Sequence, residues 1–248
     1  MRADSAGSTR TSPPSLPRRA NYRGREVIFP LGVPILVLSL IAFALWGDDL
    51  GRWAVYLVGV ALLGLIDDLL GGAGPRGLRG HGAALVSGHP STGAVKALGT
   101  VGLAAWVAPG DGVPYLLEVG VLALAPHVAN LIDLRPGRVE KAAALALGGL
   151  CVLAGTLDPL DLLWPFAAIV AVGALLTLRE RAMLGDSGAS LIGALVGVAC
   201  VTTLGVAATA IALAVGISIS LYGEFHSISV AINRVPLLAR LDSLGRGN

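Results

Sequence analysis

Two adjacent aspartates, Asp67 and Asp68, end an otherwise apolar run from Trp53 to Leu70. Charged side chains near a bilayer are costly, and those that persist inside or at the mouth of a helix bundle are usually functional. Neighbouring carboxylates repel each other and need a counter-charge. A divalent cation supplies one, and aspartate oxygens are the hard ligands that Mg²⁺ prefers. On this pair alone, a marker of the water-side end of a helix remains the simpler interpretation.

A second polar group ends a later apolar run, where His127, Asn130 and Asp133 recur at every third position. This spacing places the three side chains on one broad face of a helix, where they need polar neighbours rather than lipid. Asp133 is predicted to complete a set of carboxylates with the first aspartate pair. His127 by itself is better explained as a hydrogen-bonded packing residue than as a catalyst. The Pro-Gly pair at 136–137 is predicted to stop the helix.

Asp186 lies in the sequence Gly185-Asp186-Ser187-Gly188, directly before another apolar run. Aspartate at the start of a helix commonly caps the free backbone N–H groups, which is a structural role. The flanking glycines also permit close approach of a ligand, so Asp186 is a second-rank candidate for substrate binding.

Basic residues follow the first aspartate pair in a stretch that is too rich in glycine for a stable helix. Arg76 and Arg79 lie in this stretch, and their side chains together with backbone N–H groups suit phosphate. Ser91 or Thr92 is predicted to cap the next helix, which places Lys96 about one turn inside it. Lys96 is expected to bind phosphate, with snorkelling to the lipid surface as the alternative.

The elements that must position these residues are membrane helices. The chain has 248 residues, of which 54% are hydrophobic and only 14% charged, so too few polar residues exist to coat a soluble domain. Eight apolar runs are candidates for crossing a bilayer. They are Phe29 to Trp46, Trp53 to Leu70, Gly93 to Ala108, Val113 to Ile132, Ala142 to Leu157, Leu162 to Leu178, Ser187 to Leu204 and Val206 to Tyr222.

The distribution of basic residues predicts the orientation. With eight spans and a cytoplasmic amino terminus, all 18 Lys and Arg residues except Arg52 fall at the cytoplasmic side. We therefore predict an all-α, polytopic membrane helix bundle in the plasma membrane, with both termini cytoplasmic. Residues 1–20 are expected to be a disordered tail, 21–223 the transmembrane domain and 224–248 an amphipathic cytoplasmic tail. The net charge of +2 gives no reason to expect a nucleic-acid partner.

Four motifs thus stand in order on one side of the membrane. Together they resemble the polyprenyl-phosphate N-acetylhexosamine-1-phosphate transferase superfamily, glycosyltransferase family 4, which includes the phospho-N-acetylmuramoyl-pentapeptide translocase and the GlcNAc-1-phosphate transferases. The resemblance covers roughly Asn21 to Gly188. It rests on Gly64-Leu65-Ile66-Asp67-Asp68, the glycine-rich loop with Lys96, Asn130-Leu131-Ile132-Asp133 and Met183-Leu184-Gly185-Asp186-Ser187-Gly188.

The resemblance implies Mg²⁺-dependent transfer of a sugar-1-phosphate from a UDP-sugar to polyprenyl phosphate at the inner membrane face, in cell-envelope glycan synthesis. Mn²⁺ is the alternative cation, and a homodimer is one open oligomeric state. Catalytic and metal-binding roles are implied for Asp67, Asp68 and Asp133. Substrate-binding roles are implied for Lys96, Asn130, Asp186, Arg76, Arg79 and His226.

The chain also departs from the family pattern. Leu134 and Pro136 stand where the family usually has Gly and a further Asp, and the His-rich cytoplasmic loop is reduced to His226. These departures leave open a non-catalytic relative that binds a lipid-linked precursor or a cell-wall partner. An intramembrane serine protease using Ser187 is a third hypothesis, which leaves the carboxylates without a role.

Overall fold

The computed structural model of this chain describes residues 17–71 and 91–245, and most of them are helical. A short hairpin comes first, formed by strands β1 (Arg18–Ala20) and β2 (Glu26–Ile28). The helices that follow are α1 (Gly32–Leu50), α2 (Arg52–Leu70), α3 (Thr92–Val107), α4 (Gly112–Ile132), α5 (Arg138–Ala154), α6 (Asp158–Asp161), α7 (Trp164–Leu178), α8 (Gly185–Thr203), α9 (Val206–Phe225), α10 (Ile228–Arg234) and α11 (Pro236–Ser243).

Each of the eight predicted apolar runs coincides with one of the eight helices of 15 to 21 residues in the described part of the chain. The mostly helical fold is therefore confirmed. Four helices in the described residues, α2, α4, α8 and α9, are long and apolar enough to cross a membrane. The predicted number of eight crossings and the cytoplasmic placement of both termini stay predictions.

The N-terminal hairpin lies partly inside the stretch that composition predicts to be disordered. Arg18 to Ala20 pair antiparallel with Glu26 to Ile28, so regular structure begins before residue 21. Ile28 in turn exchanges backbone hydrogen bonds with the segment before α8, accepting from Met183 N at 3.0 Å. This pairing orders the hairpin through a segment more than 150 residues away, which local composition cannot reveal.

Helix α8 is the centre of the bundle, since most of its residues are buried and it packs against α1, α2, α4 and α5. Small residues allow its backbone to approach α4 closely, as is common between membrane helices. A Cβ added at Gly193 would overlap the carbonyl oxygen of Ala125. The start of α8 is therefore held in a defined position relative to the ends of its neighbours.

The C-terminal segment packs back onto the bundle rather than extending away from it. The guanidinium group of Arg138, at the start of α5, donates to both carboxylate oxygens of Asp242 at 2.8 and 2.9 Å and to Ser229 Oγ at 2.9 Å. Leu237 and Leu238 on α11 remain exposed. The amphipathic character of this tail stays a prediction.

Candidate functional site

Lys96 and two aspartates form a charged cluster where α2, α3 and α8 meet. Ser91 Oγ accepts a hydrogen bond from Ala94 N and caps α3, as predicted, which puts Lys96 one turn inside that helix. The Lys96 ammonium donates to Asp67 Oδ2 at 2.7 Å and also to Asp186 Oδ2. Lys96, predicted to bind phosphate, is therefore paired with two carboxylates in this structure.

Asp68 faces a different partner from its neighbour Asp67, although a shared role in binding Mg²⁺ was implied for both. Its carboxylate accepts hydrogen bonds from Asp186 N at 2.7 Å, Ser187 N at 3.0 Å and Ser187 Oγ at 2.8 Å. The first N–H groups of a helix have no partner within the helix and carry partial positive charge. Asp68 therefore caps α8 from a separate helix, and the expected capping by Asp186 itself is not what the structure shows.

The absence of side chains at two glycines makes this capping contact possible. A Cβ at Gly64 would lie 2.6 Å from both the carbonyl oxygen of Asp186 and the Cα of Ser187. A Cβ at Gly32 would overlap the Ser187 hydroxyl. Glycine in the Gly64 to Asp68 motif thus has a packing role, because it lets α2 approach the start of α8.

The polar residues Asn130 and Asp133 at the end of α4 do not take part in the hydrogen bonds described above around Lys96 and Asp68. Asn130 Nδ2 donates to Ser190 Oγ on α8 at 2.9 Å, and its Oδ1 is buried without a hydrogen-bond donor among the described residues. Asp133 follows the last helical residue, and its backbone N–H donates to Ala129 O at 3.1 Å. α4 ends at Ile132, four residues before Pro136, so the predicted stop at Pro136 and Gly137 lies beyond the observed end of the helix. Gly137 instead precedes the first residue of α5.

Asp133 lies in surroundings that disfavour the ionised form of its carboxyl group. Loss of hydration raises the pKa of its carboxyl from 3.8 to about 8, and the carboxylates of Glu140, Asp186 and Asp68 add to that effect against the opposing Arg138. Within the described residues, no group donates a hydrogen bond to this carboxylate. A cation or a positively charged substrate group at this position would favour the ionised form of the carboxyl group.

A cavity of about 240 Å³ is lined by the end of α4, the start of α8 and the hairpin. Its lining contains Asp68, Asp133 and Asp186, three carboxylates from three separate stretches of the sequence. The remaining lining residues are Arg19, Asn21, Tyr22, Phe29, Leu134, Arg135, Pro136, Gly137, Thr177, Ala182, Met183, Leu184 and Gly185. Asp67 and Lys96 adjoin this cavity through Asp186 without lining it.

The donor set fits Mg²⁺ in chemical type but not in arrangement. Carboxylate oxygens at a cavity with surplus negative charge are suitable ligands. Among the described residues, however, no group of three His, Cys, Asp or Glu side chains lies close enough together to hold an ion. The Asp68 carboxylate already accepts hydrogen bonds from the start of α8. The Lys96 ammonium lies between the carboxylates of Asp67 and Asp186 and supplies the positive charge there. Binding of a cation would require Lys96 to release a carboxylate.

Other predicted site residues lie elsewhere. His226 follows α9 and stacks on Tyr222 at 4.8 Å between ring centroids, away from the cavity lining. Arg76 and Arg79 fall outside the described residues. Ser187 donates its hydroxyl hydrogen bond to Asp68 rather than to His226, so this geometry gives no support to a serine protease.

The sequence pattern did not single out the hairpin residues that line the cavity. The nearby Arg23 and Arg25 do not line it. These two arginines instead lie 3.6 and 3.9 Å from the carboxylate of the buried Glu180. The lining residues of the hairpin are Arg19, Asn21, Tyr22 and Phe29. The signal for this region that was available in the sequence was a pair of basic residues next to Asn21-Tyr22.

The chain was also compared with known proteins. No protein-family model, curated protein or solved structure matches it.

Proposed function

We propose that this protein is a membrane-embedded phosphoglycosyl transferase that moves a sugar-1-phosphate from a UDP-sugar to polyprenyl phosphate in cell-envelope glycan synthesis. The observation that carries the proposal is the convergence of three aspartates from separate motifs at one cavity, at the end of an apolar helix bundle. A polyprenyl phosphate, which is held in the lipid, and a UDP-sugar, which is charged and water-soluble, must meet at such a place. In this proposal the cavity faces the cytoplasm, and the eight long helices all cross the membrane.

In the reaction, an oxygen of the lipid phosphate forms a bond to the sugar-bearing phosphorus of the UDP-sugar. The bond from that phosphorus to the bridging oxygen breaks, and the electron pair leaves with UMP. Asp133 and Asp186 line the cavity and would hold Mg²⁺ or Mn²⁺ once Lys96 has released Asp186. Asp67 lies next to them through Lys96. When bound, such an ion would neutralise the diphosphate and the developing charge on UMP.

The protein's own residues have separate tasks in this proposal. Asp68 holds the start of α8, and thereby Asp186, in place. Lys96 exchanges a carboxylate for a phosphate oxygen when substrate and cation arrive, since its three N–H donors serve either partner. Asn130 keeps α4 in register with α8 through Ser190, which orients the Asp133 turn.

A second candidate is a non-catalytic protein that binds a polyprenyl phosphate or a lipid-linked precursor. The observation in its favour is that Lys96 is already paired with Asp67 and Asp186, while no three carboxylates in the described residues converge on an ion position. Such a protein would hold the lipid phosphate at Lys96 without the cation that transfer requires.

Release of UMP by purified protein in detergent tests the two candidates. The assay contains Mg²⁺, undecaprenyl phosphate and a panel of UDP-sugars, and compares wild type with Asp133→Asn. The matched control is Asp161→Asn, an exposed aspartate of α6 away from the cavity. We expect Asp133→Asn to lower release by at least about 100-fold, because even residues that only support metal ligands are worth about 10 to 100-fold.

Each outcome separates the candidates. Release that is unchanged in Asp133→Asn would reject the metal assignment. Absence of release with every sugar, from protein that still binds undecaprenyl phosphate in both forms, would favour the non-catalytic candidate.

A further inference from the structure

The hairpin contributes one wall of the carboxylate cavity, and this wall is basic rather than acidic. Arg19, Asn21 and Tyr22 come from the hairpin, and Arg135 comes from the turn between α4 and α5. The Arg135 guanidinium lies 4.5 Å from the centre of the Tyr22 ring, so the hairpin and this turn are in direct contact. Donors from two distant parts of the chain are thereby placed at one cavity.

The side-chain NH₂ group of Asn21 has no partner among the residues that the structure describes. The residue is only 8% exposed and its Oδ1 accepts from Arg23 N at 2.9 Å and Arg25 N at 3.0 Å. These two bonds fix which end of the amide is oxygen. Nδ2 is buried and has no acceptor among the described residues. An unpaired buried donor is costly, so its retention at a cavity indicates an acceptor that arrives with a ligand.

The two arginines are held by aromatic rings rather than by carboxylates. Arg19 lies 5.0 Å from the centre of the Phe29 ring, and Arg135 contacts Tyr22 as described above. Within residues 17–71 and 91–245, neither forms an ion pair with a carboxylate, in contrast to Arg23, which lies 3.6 Å from Glu180. A cation–π contact orients a guanidinium while its N–H groups stay available to an anion.

We propose that Arg19, Asn21 and Arg135 form an oxyanion subsite that takes a phosphate group of the substrate. Guanidinium groups bind phosphate oxygens in pairs of parallel hydrogen bonds, and the amide adds a third donor. The same chemistry suits the phosphate of a nucleotide or that of a lipid. This inference deepens the proposed function and rests on it for the kind of phosphate involved, but anion binding is measurable without any transfer.

Binding of two phosphate probes tests the subsite, each against its phosphate-free counterpart. One arm titrates UMP against uridine, and the other measures undecaprenyl phosphate against undecaprenol in lipid nanodiscs, both with Mg²⁺ present. The variants are Arg19→Gln, Arg135→Gln and Asn21→Asp. Asn21→Asp keeps an oxygen for the two turn hydrogen bonds while placing negative charge where Nδ2 was.

Arg18→Gln is the matched control, because Arg18 is an exposed arginine of the same strand that does not line the cavity. Successive side chains of a strand point to opposite faces. We expect each of the three site variants to bind the relevant phosphate probe about tenfold more weakly, because a charge-assisted hydrogen bond is lost. Arg18→Gln should bind as wild type does.

The arms also identify the source of the phosphate. Weakened UMP binding, with uridine unaffected, places the nucleotide at the subsite, whereas weakened undecaprenyl phosphate binding places the lipid there. The proposal is overturned if neither phosphate probe binds wild type, or if both bind all three site variants as tightly as Arg18→Gln. Failure of UMP release with intact phosphate binding would instead reject only the transferase.

Discussion

Asp68 and Asp133 line the same cavity, yet the two regions that carry them are built differently. At the junction of α2 and α8, Asp68 accepts three hydrogen bonds from the start of α8. At the end of α4, no group in the described residues donates to Asp133, and burial together with the nearby carboxylates raises the pKa of its carboxyl to about 8. The described residues therefore provide hydrogen-bond donors to the Asp68 carboxylate but none to that of Asp133.

This difference separates a structural role from a chemical one. A carboxylate with several hydrogen bonds to a helix start stabilises the fold and has few lone pairs left for a ligand. A carboxylate held among other negative charges costs stability, and such costs concentrate at functional sites. The first region should therefore respond to substitution through stability, and the second through binding and activity.

Gly64→Ala should produce the largest loss of stability. Its Cβ would lie 2.6 Å from backbone atoms of Asp186 and Ser187, which cannot rotate away as a side chain can. We expect the free energy of unfolding to fall by about 3 kcal/mol, the upper end of the usual cost of overpacking. Thermal unfolding of the purified protein in detergent measures the change.

Gly148→Ala is the control for this prediction. Gly148 is an exposed helical glycine with no heavy atom within 4 Å of the position that a Cβ would take, so the added methyl group meets nothing. The better helix propensity of alanine should stabilise this variant by up to about 1 kcal/mol. Equal destabilisation of both variants would mean that α2 and α8 do not depend on close approach at Gly64.

Asp68→Asn should have the next largest effect on stability. Asparagine keeps one acceptor oxygen but turns an NH₂ group toward the N–H donors of α8, so we expect a loss of about 2 kcal/mol. Asp48→Asn, at an exposed aspartate of α1, should change stability by less than about 0.5 kcal/mol. Thermal unfolding in detergent measures both. A stable Asp68→Asn protein without activity would show instead that Asp68 acts in chemistry.

The helices could be predicted from the sequence because their signal is local. Eight apolar runs of suitable length became eight helices, and Ser91 caps α3 as its residue type predicts. The gathering of Asp67, Lys96 and Asp186 also follows from that topology, since α2 ends where α3 and α8 begin. These inferences needed only periodicity, length and the alternation of helix direction.

The different partners of Asp67 and Asp68 could not be derived from the motif alone. Adjacent residues on a helix point about 100° apart and do not face each other, so one of them meets Lys96 and the other meets α8. Which one meets which partner depends on how α2 is rotated, and packing at Gly64 sets that rotation. The basic wall was missed because the hairpin depends on pairing with residues distant in the sequence.

Asp133→Asn should change how stability depends on pH rather than lower stability at every pH. In metal-free protein the raised pKa means that the folded state keeps a proton that the unfolded state has released. This contribution is fully present below the unfolded pKa of 3.8 and is lost as pH rises toward about 8, so wild-type stability falls through that window.

Asparagine cannot ionise, so Asp133→Asn should lack this part of the pH dependence and match or exceed wild-type stability near the upper end of the window. Thermal unfolding in detergent with a chelator, followed from about pH 5 to about pH 8, measures the difference. Parallel curves for the two proteins would show that the pKa of Asp133 is not raised in the folded state. The contrast with Asp68 would then rest on hydrogen bonding alone, because repulsion among the cavity carboxylates would no longer distinguish the two regions.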